Sequence, residues 1–253
     1  MVFVSYSHDD DQWLKRFSKM SKPLSRYAEI DVWSDKRINP GKDWRAEINK
    51  AMADAFVAVL LVSVNFLDSD FIANEELPYI LEAATKKKIE ILWVRLTPCM
   101  YRLTPLDKLQ AVAGFPRPLN QMTEYEWMEA FCSVCDRIDK IVKKKETPII
   151  NSHLNGQALQ REQPNLQVLA KPAIRDTEVM IFSGGNWHTQ HRIPKGSMIA
   201  KCWIGDTKHT KSGDTFQIVA LTRDHGKLLS LGTKHPSLPL HRTRSDQVTV
   251  KRA

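Results

Sequence analysis

At 253 residues, with 42% hydrophobic and 26% charged positions, the chain has the length of two ordinary domains and the composition of a folded globular protein. Its longest apolar run, residues 56–62, is far short of the roughly 20 residues that cross a bilayer, and the opening MVFVSYS lacks the basic start and apolar run of a secretory signal, so a cytoplasmic location with no membrane span is expected. The net charge of +8 is uneven: residues 1–145 carry 22 Lys/Arg against 21 Asp/Glu and residues 146–253 carry 15 against 8, a basic excess that reads first as a solvated face, with an anionic ligand for the second half as the alternative.

In chain order, Val2 to Tyr6 reads as a strand, and Asp9 is placed to cap a helix on which Trp13, Leu14, Phe17 and Met20 share one face. Ala28 to Trp33 reads as a second strand and Asp35 to Lys42, with Asn39-Pro40-Gly41, as a loop. Asp43 caps a helix bearing Trp44, Ile48 and Met52 at helical spacing. Phe56 to Val62 is continuously apolar, as strands buried on both faces of a parallel sheet are. The polar turn Asp68-Ser69-Asp70 leads into a helix through Glu76, Leu77, Ile80, Leu81 and Ala84, and Ile89 to Leu96 is a fourth strand. Residues 97–119, with four prolines, form a long connection expected to hold a short last strand near Ala113 to Phe115. Thr123 and Glu126 have the spacing of a capping box and open a helix with Trp127, Phe131, Val134 and Ile138 inward. Strands alternating with helices in this way imply βα units on a mainly parallel sheet.

Past residue 145 the helical periodicity fades. Residues 146–172, rich in Asn, Gln and Pro, read as a linker. Residues 173–253 turn to period two, with strands expected at Glu178–Phe182, Ser197–Ile204, Thr215–Leu221, Lys227–Leu231 and Gln247–Lys251. Ser183-Gly184-Gly185-Asn186 and Lys211-Ser212-Gly213-Asp214 have hairpin-turn composition, so this part is expected to be a small all-β domain. Cys132-x-x-Cys135 has no second pair at ligand spacing and reads as buried small residues, while seven of the eight histidines scatter after residue 150 without metal-ligand neighbours. No metal site is expected.

Three segments, in order, carry a family resemblance. Phe3-Val4-Ser5-Tyr6-Ser7 with His8-Asp9-Asp10 is the first; Val32-Trp33-Ser34-Asp35 through Ile38-Asn39-Pro40-Gly41 to Trp44 and Ile48 is the second. Leu60-Leu61-Val62-Ser63 with Asn65-Phe66-Leu67, Ser69-Asp70-Phe71 and Glu76-Leu77 is the third. Together they resemble a TIR domain of the bacterial type, over residues 1 to about 142. The resemblance implies a TIR domain at 1–145 with a flavodoxin-like α/β fold, a five-stranded parallel sheet of order 2-1-3-4-5 and helices on both faces. It further implies an enzyme that cleaves NAD+ at the nicotinamide–ribose bond, with NAD+ as substrate and no cofactor, acting as an effector in antiphage defence or signalling. Self-association is implied too, because the family's active site is completed by the BB loop of an adjacent copy. The same resemblance also covers a non-enzymatic TIR–TIR interaction module and a synthase that releases a cyclic or conjugated ADP-ribose messenger.

The chemistry asks for a carboxylate beside the ribose C1′, because breaking the bond to a pyridinium builds oxocarbenium character on the sugar. Nicotinamide leaves neutral and needs no general acid. Two glutamates compete, Glu75 and Glu76, and consecutive helical residues point about 100° apart, so one of them faces the cleft. Glu76, followed by the apolar Leu77, has the order the family's catalytic glutamate has, and is chosen. Tyr6, Ser7, Asp35 and Phe71 are expected to bind substrate: the first two sit at the carboxyl end of the first strand, where open α/β sheets hold ligands, Asp35 borders the loop over the cleft, and Phe71 is placed to stack on nicotinamide. The plain alternative leaves both glutamates decorating a helix start, where acids suit the dipole.

Overall fold

The computed structural model describes residues 1–86, 88–109, 111, 117–146, 157–159, 162–166, 177–193, 200–203, 214–222, 231, 234–239 and 243–252. The chain divides into two compact units, Met1–Ile141 and Val142–Ala253.

In the first unit β1 (Val2–Ser5), β2 (Val32–Trp33), β3 (Val57–Val62) and β4 (Glu90–Arg95) form a parallel sheet of order β2-β1-β3-β4. The fifth strand expected near 113–115 lies outside the described residues. Every side chain of β3 is buried. Phe3, Ala58, Leu60 and Val62 share one core with Ile48 and Met52 of α3 (Trp44–Asp54) and Leu77, Ile80 and Ala83 of α5 (Leu77–Thr85). The alternate residues Val57, Val59 and Leu61 are equally buried, so the sheet is covered on both faces, as parallel sheets are. Two helices precede α3: α1 (Asp11–Met20) and the short α2 (Lys22–Tyr27), with Pro23 in its first turn. Phe17 of α1 meets Phe131 of α6 (Glu124–Glu146) edge-on at 5.4 Å, and Trp13 meets Trp127 at 6.2 Å with the Arg16 guanidinium over both indoles.

The local signals act largely as chemistry requires. Asp43 accepts from Ala46 N at 3.1 Å and caps α3. The Thr123–Glu126 box closes in both directions, with Thr123 N donating to Glu126 Oε2 at 2.8 Å and Glu126 N to Thr123 Oγ1 at 3.4 Å. Asp9 caps nothing: a 3₁₀ turn over His8–Asp10 intervenes and α1 starts at Asp11. Of the expected second strand, Val32 and Trp33 pair with β1. Cys132 is exposed and Cys135 half-buried, so these are not the buried small residues expected.

In the second unit, β7 (Thr177–Ser183), β8 (Asn186–Ile193), β10 (Thr215–Thr222), β11 (Lys234–His235), β12 (Thr243–Arg244) and β13 (Val248–Arg252) build a sheet that is antiparallel except for β5 (Gln157–Leu159), which runs parallel to β13. β6 (Glu162–Leu166) and β9 (Ala200–Trp203) form a separate antiparallel pair. The β7–β8 hairpin turns on Gly184 and Gly185, both at positive φ (56° and 79°), as a two-residue primed turn demands. β8 was not expected, because Asn186-Trp187-His188-Thr189-Gln190-His191-Arg192 has too few apolar residues to display period two. Two strands, β5 and β6, fall inside the segment expected as a linker. Their polar sequences hide them, and the β6–β9 register shifts between Gln163 and Leu166, around Pro164, which has no N–H to give to a ladder. The expected turn at 211–213 and most of the strand at 227–231 lie outside the described residues.

Candidate active site

The carboxyl ends of β1, β2 and β3 open onto a cleft of about 360 Å³ in the first unit, where open α/β sheets bind ligands. Ser5, Tyr6, Ser7 and His8 enter it from the end of β1, Asp35 from the end of β2, and Asn65, Asp68 and Ser69 from the segment after β3. Trp44 and Phe71 close one side, with ring centroids 4.5 Å apart, and Glu76 supplies the buried end. Among the described residues, the lining holds the carboxyl groups of Asp9, Asp35, Asp68 and Glu76 and no Lys or Arg. Such a site favours a ligand that brings positive charge.

The two glutamates part company here. Glu75 is exposed and its Oε1 accepts from Arg45 Nη2 at 2.7 Å. Glu76 is 5% exposed, and its Oε1 has no hydrogen-bond partner among the described residues; the same is true of the Ser5 hydroxyl. Burial pushes the Glu76 carboxyl up to about 7, the Ser5 hydroxyl beside it acting the other way, while the Asp35 carboxylate adds to the rise and His8 eases it. The divergence has a backbone cause. Ser69 starts the helix by accepting from Ile72 N through its side chain at 3.4 Å and from Ala73 N through its carbonyl at 2.9 Å. Pro78 then sits in the first turn of α5, where it offers no N–H and its ring crowds the carbonyl four residues back. The helix answers by widening into a π turn over Ile72–Glu76, closed by Leu77 N–H donating to Ile72 O. Such turns recur at functional sites. This one presents Glu76 to the cleft and Glu75 to solvent.

A second constellation faces Glu76. The Tyr6 hydroxyl donates to Asp35 Oδ1 at 2.8 Å, and His8 Nε2 bonds Asp35 Oδ2. Burial, and then the Asp35 carboxylate, push the Tyr6 phenol above its ordinary range, so it stays a donor. The bonds tie the start of the loop that follows β2 to the end of β1. Beyond Asp35 the loop holds Gly41 at φ 84°, and residues 39–46 are exposed. All five expected site residues, Tyr6, Ser7, Asp35, Phe71 and Glu76, thus line one cleft. Trp33, by contrast, stacks on Phe3 at 5.4 Å as core.

Sequence reasoning missed His8, Asn65 and the role of Asp10. Asp10 is as buried as Glu76, but both its oxygens are engaged: Ser63 Oγ donates to Oδ2 and Asn65 Nδ2 to Oδ1 at 3.1 Å. Ser63 in turn accepts from Phe66 N at 2.9 Å and caps α4 (Val64–Asp68). The visible signal was the acidic run His8-Asp9-Asp10 directly after a strand.

The family model described as "TIR domain" matches residues 2–127. A protein of Sinorhizobium fredii named "Uncharacterized protein y4lF" is 29% identical over 137 residues, covering 54% of this chain and 42% of its own length. The crystal structure of the TIR domain of the Toll-related receptor TRR-2 from Hydra magnipapillata aligns with a TM-score of 0.39 at 16% identity, over 56% of this chain and 97% of that one. Among the described residues no helix is long and apolar enough to cross a membrane.

Proposed function

With residues 2–127 matched by the TIR domain family model, we propose that this domain cleaves NAD+ at the bond between nicotinamide and ribose. The observation that carries the reading is Glu76: among the described residues, a buried carboxyl with an unpartnered oxygen, held at the end of an acidic cleft that lacks Lys and Arg. As the glycosidic bond breaks, its electron pair neutralises the pyridinium and positive charge moves onto the ribose. Two unit charges about 4 Å apart at an effective dielectric near 20 attract by about 4 kcal/mol, which sets a ceiling of roughly a thousandfold in rate, because the pyridinium already carries the charge that moves to C1′. Ionised Glu76 supplies that attraction to the transition state in particular, since the charge arrives at C1′ only as the bond opens.

The other site residues take supporting parts in this reading. Phe71 lies against the flat nicotinamide, and Tyr6 and Ser7 meet the ribose hydroxyls, with Asp35 holding Tyr6 in place. The diphosphate, unwelcome among the cleft carboxylates, lies outside toward Lys42 and Arg45, which are exposed on the bordering loop and the first turn of α3. The exposed loop around Gly41 meets a second copy, so activity depends on association, and the basic second unit holds an anionic ligand that governs it. A loop that carries a binding surface on a rigid scaffold is the ordinary arrangement.

The test is incubation of the purified full chain with NAD+ across a range of protein concentrations, with products identified by mass. Nicotinamide with ADP-ribose or its cyclic isomer is expected, rising more steeply than linearly with protein. NAD+ recovered intact at concentrations where the chain self-associates overturns the reading.

A further inference from the structure

We propose that His8, oriented by Asp35, is the general base that takes the proton from the water that attacks the ribose once nicotinamide has left. The inference rests on the NAD-cleaving reading above and concerns its second half. In the first half the C1′–N bond breaks and its electrons depart with neutral nicotinamide. In the second, a water oxygen bonds to C1′ and one water proton must go elsewhere. Glu76 is already assigned to the ribosyl cation, and a second base on the same cleft spares it a second task. His8 is another group on the cleft with a lone pair to offer.

His8 meets the requirement by geometry. Its ring lines the cleft that Glu76 ends, and its Nε2 bonds Asp35 Oδ2. Asp35 is itself fixed, receiving the Tyr6 hydroxyl on Oδ1 at 2.8 Å. An ionised carboxylate only accepts, so Nε2 carries the proton, and in the neutral ring Nδ1 is left with a lone pair. Nδ1 makes no hydrogen bond among the described residues. The side chain is 65% exposed against 14% for Asp35, so water reaches the ring and the collected proton passes on to solvent. This is the arrangement of a base oriented by a third group: Asp35 is the positioning residue and His8 the catalytic one.

The test separates the two halves by changing the acceptor. A pyridine such as 3-acetylpyridine attacks through a nitrogen that has no proton to lose, so it replaces nicotinamide on the dinucleotide without a base. The full-length native chain and the variants His8→Gln, Asp35→Asn and Glu76→Gln are incubated with NAD+, with and without 3-acetylpyridine, and both products are quantified. In His8→Gln, ADP-ribose formation is expected to fall on the order of 100-fold, the lower end of what a positioned base contributes, while pyridine exchange stays within about threefold of native. Asp35→Asn moves the ratio of the two products in the same direction by about tenfold, which keeps the test valid if His8→Gln folds poorly. Glu76→Gln loses both products. Equal loss of both in His8→Gln, loss of neither, or a native chain that makes cyclic product and no ADP-ribose overturns the proposal. A native chain that makes neither the hydrolysis nor the exchange product contradicts the NAD-cleaving reading itself.

Discussion

Two carboxyl groups at the carboxyl end of one sheet are equally buried and differently treated. Asp10 has a donor on each oxygen, from Ser63 and Asn65, and the helix capped by Ser63 is anchored through it. Among the described residues one oxygen of Glu76 has no donor, and its carboxyl is pushed up to about 7. Burial without compensation costs free energy in either place. A chain that satisfies one carboxylate fully and leaves the other short of a donor beside a cleft has used the first to build, and in the proposed reading it keeps the second for chemistry. Donors separate the two carboxyls, where burial alone sees no difference.

Breaking the satisfied site has the largest expected effect on the fold. Asp10→Ala strands the Ser63 hydroxyl and the Asn65 amide, at about 1–3 kcal/mol for each group left unsatisfied, so a loss of about 3 kcal/mol is expected in urea unfolding followed by tryptophan emission. A loss below about 1 kcal/mol would mean that the bonds to Asp10 do not anchor α4.

The unsatisfied site responds with the opposite sign and through pH. Between the ordinary carboxyl value of 4.5 and about 7, the folded chain holds a proton on Glu76 that the unfolded chain has lost. Its contribution to stability is therefore complete below about 4.5 and disappears as pH rises through about 7. At roughly 1.4 kcal/mol per pH unit of separation, the native chain is expected to lose on the order of 3 kcal/mol relative to Glu76→Gln between pH 4.5 and pH 8. Parallel stability curves for the two proteins would show that Glu76 is compensated after all.

At the small end stands the neighbouring glutamate. The Arg45–Glu75 pair, at 2.7 Å with both side chains about half exposed, belongs to the class of surface bridges worth 0–1 kcal/mol. Arg45→Ala is expected to change urea stability by less than about 0.5 kcal/mol. A larger change would make Glu75 part of the framework and blur its contrast with Glu76.

Much of this was legible in the residues, for reasons that differ by element. β3 reads as a strand because six consecutive apolar side chains are all buried, and the caps at Asp43 and Thr123 read because their chemistry is local. Glu76 was separable from Glu75 by the Leu77 that follows it, but what turns the pair apart is the π turn before Pro78, which helical periodicity does not describe. Asp10 was not legible, since its partners lie 53 and 55 residues away. The His8–Asp35 contact spans 27 residues and joins two loops with no pattern between them. In the second unit, β5, β6 and β8 stayed hidden because polar strands and a proline carry no alternation to read.

The central claim, that the uncompensated carboxyl is the one that performs the chemistry, is tested most directly by measuring nicotinamide release from NAD+ by the full chain beside Glu76→Gln and Glu75→Gln at equal protein concentration. The account predicts a loss of up to roughly a thousandfold for Glu76→Gln, with its fold intact, and a rate within about threefold of native for Glu75→Gln. Full activity in Glu76→Gln, or loss confined to Glu75→Gln, would contradict it.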